Sequence, residues 1–182
     1  MKIGEKFWAV FDAIIKASMA LASALIVFDA IAVTVEVLLR YSFGIVIGEL
    51  FEITEYTLLW MTFLGAAWIM KKEGHVSVEV VVDRLSPEHR AIVRGIAYVL
   101  CIFLLLVMVW YSAKLTLSDF QAHFTLSSIM MPPKWPIEII IPIGFFLLII
   151  QLMRNAYGYF SNWRALYRGE SISPTDVHGR GL

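Results

Sequence analysis

Four nearly uncharged apolar stretches, at about residues 17–39, 53–70, 91–112 and 137–153, set the pattern of this chain. Each approaches the roughly 20 apolar residues that an α-helix needs to cross a hydrocarbon layer about 30 Å thick. The pattern predicts an all-α integral membrane protein with four transmembrane helices in one domain over residues 1–169. Residues 3–15 follow a different rhythm. Ile3, Phe7, Val10, Phe11, Ile14 and Ile15 recur at helical spacing, with Lys2, Glu5, Lys6, Asp12 and Lys16 largely on the other side. That spacing predicts an amphipathic interfacial helix lying on the membrane before the chain turns into the bilayer.

The connections carry the turn chemistry. In residues 71–90 the valines alternate from Val76 to Val82, but Val81 breaks the pattern, and a short surface helix is expected there instead of a strand. Ser86, Pro87 and Glu88 then supply a cap, a first-turn proline and a first-turn acid, so a new helix begins. Pro132, Pro133 and Pro136 forbid a continuous helix through residues 114–136, and Pro142 is expected to bend the last span. Residues 154–168 mix arginines with Tyr, Phe and Trp, as an interfacial segment would. Residues 170–182 read as a flexible tail.

Composition narrows the class. At 59% hydrophobic and a mean hydropathy of +0.75, the chain is too apolar for an ordinary soluble domain. A formal charge of zero gives no bulk attraction to nucleic acid, and one cysteine, Cys101, excludes an internal disulfide. Glu5 and Asp12 interrupt the basic start, and the following apolar run is too long for a cleaved leader, so an uncleaved first span is expected. Placing the first three polar connections on alternate sides puts twelve lysines and arginines on one side and Arg40, Lys114 and Lys134 on the other. Positive charge stays inside, so both termini are expected in the cytoplasm.

The acids within the spans are the candidate functional residues. An unpaired Asp29 near mid-bilayer would cost about 2.5–3.5 kcal/mol, so it should face protein. Three readings stand: a hydrogen bond to a neighbouring helix, a contact with a partner subunit, or an ion path. Glu36 and Arg40 have the favourable i, i+4 order for an ion pair at the outer interface. Glu49, Glu52 and Glu55 follow at spacings of three and form an acidic band near a helix start, where the dipole favours anions. They lack the further oxygens that a hard cation takes, so no metal site is assigned. His75, His89, His123 and His178 lie outside the span centres, which disfavours a membrane haem. No nucleophile elbow, zinc helix or phosphate-cradling loop appears. Neither an enzyme nor a cofactor is expected.

One ordered set of features resembles a known family. Arg40-Tyr41-x-Phe43 leaves the first span, and Glu49, Glu52 and Glu55 follow, then Trp60, Leu64-Gly65-Ala66-Ala67 and Gly74-His75-Val76. Pro133-x-Trp135 and Pro142-Ile143-Gly144 precede the last span. Over about residues 15–155 this resembles the small integral-membrane subunit of tripartite ATP-independent periplasmic (TRAP) transporters. The resemblance implies a bacterial inner-membrane protein that scaffolds a large multi-span transport subunit. It also implies that the small subunit helps dock a periplasmic substrate-binding protein, with uptake of an organic acid such as a dicarboxylate or sugar acid driven by an ion gradient, commonly sodium. Asp29, Glu36, Arg40, Glu49, Glu52, Glu55, Trp60, Gly65 and His75 become candidates for the partner interface, with membrane lipid as the surrounding medium. The alternatives are a structural or assembly subunit of another membrane complex, and a stand-alone small-solute carrier. Paired repeats and several broken helices, usual in carriers, are missing from the sequence.

Overall fold

A computed structural model describes residues 3–73 and 87–167. Among these, the chain forms helices α1 (Ile3–Phe43), α2 (Gly48–Glu73), α3 (Pro87–Gln121), the single turn α4 (Trp135–Glu138) and α5 (Ile140–Tyr167). The described residues hold no strand beyond an isolated bridge between Thr125 and Pro133. The class is all-helical, as the hydropathy pattern predicts.

The helices stand in the order α1, α2, α5, α3, each packed mainly on its neighbours in that row. A short turn makes α1 and α2 an antiparallel hairpin. Gly44 takes a positive φ of 68° there and its N–H donates to the Arg40 carbonyl at 3.1 Å, closing the C-terminus of α1. Two small apolar clusters hold the row. One joins Phe11 and Ile15 to Ala67, with Trp8, Trp68, Leu147 and Ile150 against them. The other joins Ala22, Leu64 and Ile140, with Trp60 and Phe63 against them. Between α2 and α5 the approach is closest at Gly144, where a Cβ would meet the Phe63 Cβ at 2.7 Å and its carbonyl oxygen at 3.0 Å. Phe63 and Phe145 complete that seam edge to face at 5.0 Å.

Several expected boundaries shift. Residues 3–15 do not form a separate interfacial helix but are the first turns of α1, which runs unbroken for 41 residues. The reason is partial burial: Phe11 and Ile15 of the stripe lie against α2 and α5 while Phe7, Val10 and Ile14 stay exposed, so the inner edge of the stripe packs on protein and the helix continues without a turn. Helix α3 runs on to Gln121, so the irregular connection begins near residue 122 and not at Lys114. Pro142 falls in the first turn of α5, and the apolar stretch Trp135–Tyr157 is interrupted at Ile139, between α4 and α5, three residues before the proline. Residues 154–167 continue α5 as helix. The expected surface helix near Val78 and the tail fall outside the described residues.

Three described stretches, Gly4–Phe43, Gly95–Gln121 and Trp135–Tyr157, are long and apolar enough to cross a membrane. Helix α2 is outside that set, although its 26 residues give ample length, because Glu49, Glu52, Glu55 and the hydroxyls of Thr54, Thr57 and Thr62 dilute its apolar character. Large apolar side chains point outward along the row, among them Ile31 and Leu38 of α1 and Val99 and Phe103 of α3. An apolar surface of that extent suits lipid or protein, not water.

Candidate functional site

Polar side chains collect at the two ends of the row, with one contact between. At mid-height the Thr57 hydroxyl donates to Asp29 Oδ1, tying α2 to α1. At the hairpin end, Arg40 donates to Glu36 at 3.0 Å, with Glu36 buried and Arg40 half exposed. That is the i, i+4 pair expected from the sequence.

Glu52 departs from expectation. It does not belong to a solvated band with Glu49 and Glu55, which are both exposed, but is buried. Its carboxylate accepts the backbone N–H of Ile129 and, at 3.2 Å, that of Met130. The loop after α3 supplies those donors. It doubles back through Leu126 N–H to Pro132 O and Lys134 N–H to Phe124 O, both at 3.0 Å, with His123 and Met131 at positive φ. The tip of the loop therefore presents two amides to α2. Burial pushes the Glu52 carboxyl up, but these amides, with Ser128 and Tyr56, outweigh it and hold the group below the usual carboxylate range.

The base of the loop is fastened separately. Lys134 Nζ lies 2.9 Å from Asp119 and 3.0 Å from Glu138, joining the end of α3 to α4. Hydrogen bonds to Asp119 first, and then to Glu138, raise the Lys134 ammonium above its ordinary value. Between the hairpin and the loop tip lies an open groove of about 810 Å³, walled by Ala32, Val37 and Phe51 and rimmed by Arg40, Glu55 and Ser128.

At the opposite end, Asp12 of α1 receives Lys71 of α2 and Arg154 of α5, each at 2.7 Å. The Arg154 guanidinium also lies over the Trp8 ring, 4.8 Å from its centre. Asn155 donates to the Met70 carbonyl at 3.1 Å and accepts from Gln151 at 2.8 Å. One carboxylate thus joins three helices. Sequence reasoning placed Asp12 on the polar face and overlooked this tie. The available signal was its position between Phe11 and Ile15, which set it beside the buried stripe.

The remaining candidates are dispersed. Trp60 packs against the second apolar cluster, and Gly65 is buried with open space where its Cβ would go, so no backbone presses on it. His75 lies outside the described residues. Among the described residues no three His, Cys, Asp or Glu side chains converge as a metal would require. The polar groups fasten helices and a loop.

A family model for the DctQ component of tripartite ATP-independent periplasmic transporters matches residues 29–162. The chain belongs to that family. The matched span includes the Asp29 contact, the Glu36–Arg40 pair, the Glu52 loop anchor and Arg154. This DctQ-family chain is also 35% identical over 94 residues to a Haemophilus influenzae protein described as a TRAP transporter small permease. The alignment covers 50% of this chain and 58% of that relative, so less than two thirds of the relative is spanned.

Proposed function

We propose that this chain is the small membrane subunit of a TRAP transporter in a bacterial inner membrane, scaffolding a large transport subunit that carries the substrate path. The match over residues 29–162 carries this reading. In it α2 is the fourth span, with Glu52 sheltered by the loop and Thr57 turned to α1, and both termini are cytoplasmic by the distribution of positive charge. The hairpin end then faces the periplasm. Exposed Glu49 and Glu55 give it an acidic edge suited to steering a substrate-binding protein. The substrate is an organic acid such as a dicarboxylate or sugar acid, and a sodium gradient drives uptake. Coupling ions and substrate are held by the large subunit.

The reading is tested by co-expressing the chain with a large TRAP transport subunit and a secreted binding protein. Stable co-isolation, and sodium-driven uptake in vesicles that needs all three proteins, is the expected result. Uptake by this chain alone would overturn the scaffold role in favour of a stand-alone carrier.

A further inference from the structure

Lys71 Nζ and Arg154 Nη1 meet Asp12 on the same oxygen, Oδ1. They therefore stand at most twice 2.7 Å apart, and each side chain is only 17% exposed. Among the described side chains, two cations share that one carboxylate, which leaves positive charge in surplus where water has little access. Lys72 adds to it from the next position on α2, its ammonium 5.4 Å from the centre of the Trp68 ring. Lys16 adds more from α1, exposed and one turn beyond Asp12 on the same face.

Among the described residues the donors are also unfinished. Lys71 and Arg154 each have further N–H groups beyond the one directed at Asp12. Trp8 and Trp68 lie beneath two of the cations, and exposed Tyr157 follows Arg154 by one turn. Aromatic rings of this kind mark the headgroup level, and the apolar cluster of Phe11 and Ile15 begins directly beside them.

We propose that Lys71, Arg154 and Lys72 seat the phosphodiester headgroup of an anionic phospholipid, with the phosphate between Lys71 and Arg154 away from Asp12. A basic cluster between helices, flanked by interfacial aromatics, has the chemistry for that headgroup. The lipid neutralises the surplus charge and ties α2 to α5 from outside as Asp12 ties them from within. The assignment rests on the proposed orientation only in naming the inner leaflet as the source.

The full chain in neutral detergent micelles tests this by thermal unfolding with phosphatidylglycerol, phosphatidylcholine or inorganic phosphate added. Phosphatidylglycerol at tenfold its dissociation constant should raise Tm by about 3–6 °C. Phosphatidylcholine and inorganic phosphate should not. Lys72→Gln, which leaves the Asp12 contacts intact, should weaken the phosphatidylglycerol midpoint about fivefold. Asp12→Asn removes the internal competitor, so it should lower Tm in phosphatidylcholine yet tighten the phosphatidylglycerol midpoint. Equal protection by phosphatidylcholine or by inorganic phosphate would overturn the assignment, as would unchanged midpoints in both variants. The assay needs no partner and no orientation, so its failure leaves the subunit reading standing, and co-isolation tests that reading separately.

Discussion

Thr57 donates its hydroxyl proton to Asp29 across the α1–α2 hairpin, at mid-height of both helices. The same hydroxyl lies 3.0 Å from the Ile53 and Thr54 carbonyls, so it has local acceptors if Asp29 is removed. Asp29→Leu should therefore cost no more than about 1 kcal/mol, a Tm change of about 2–4 °C, and should leave co-isolation with the large subunit intact. Asp29→Arg forces a charge against α2 and should lower Tm far more, with or without the partner. Loss of co-isolation in the Leu variant at unchanged Tm would instead place Asp29 at the subunit interface.

Two glycines on facing helices should respond oppositely. At Gly144 a new Cβ meets Phe63 backbone as well as side chain, so Gly144→Ala should separate α2 from α5 at a cost of about 1–3 kcal/mol. At Gly65 nothing lies within 4 Å of the added Cβ. Gly65→Ala should be neutral or slightly stabilising in the isolated chain, through reduced backbone freedom when unfolded. Destabilisation of the assembled transporter alone by Gly65→Ala would show that a partner fills that space.

Glu52 and Lys134 set the pH range over which the loop stays fastened. The folded Glu52 value lies below its ordinary 4.5, so its contribution is present above that pH and is lost as pH falls through the folded value. The folded Lys134 value lies above its ordinary 10.5, so its contribution is present below that pH and is lost as pH rises through the folded value. Hydrogen exchange at Ile129 and Met130 should thus show constant protection between about pH 5 and pH 10, after correction for intrinsic rates. Glu52→Ala should reduce that protection about tenfold or more across the range. Unchanged protection would mean that the loop is held by its base alone.

Replacing Glu49 and Glu55 by Gln should leave the sodium dependence of uptake unchanged, since among the described residues neither joins a cluster able to coordinate a cation. The rate at limiting binding protein should fall and become less sensitive to ionic strength, as expected when steering charges are removed. A severalfold shift in apparent sodium affinity at saturating binding protein would place this subunit on the ion path.

Fusion reporters check the orientation. A reporter within residues 71–84 or after Gly169 should be cytoplasmic, and one at Ser127 periplasmic. A periplasmic signal from the first site would reverse the assignment.

Local regularities were legible in the sequence. Glu36 and Arg40 are neighbours on one helix face, so their spacing alone defined the pair. Apolar run length likewise located part of each long helix, and the ordered motifs indicated the family. Contacts between distant segments were not legible. Spacing shows that Glu52 shares a helix start with Glu49 and Glu55, but whether it meets water or two amides depends on a loop 77 residues away. Asp12 meets Arg154 across 142 residues, and its amphipathic surroundings pointed equally well to a lipid surface. The run of α1 through residues 3–15 was hidden for the same cause, because a stripe that buries against helices has the same periodicity as one that buries against headgroups.

The row α1, α2, α5, α3 also limits what these helices can do by themselves. A permeation route needs walls on every side, and helices side by side supply only one. Helix α3 leans on α5 and its one-turn neighbour α4, while α1 packs mainly on α2 and meets α5 through side chains such as Phe11, Asp12 and Ile15, so the described residues do not curl into a ring. Any solute crossing beside this subunit must have its opposite wall supplied by another chain.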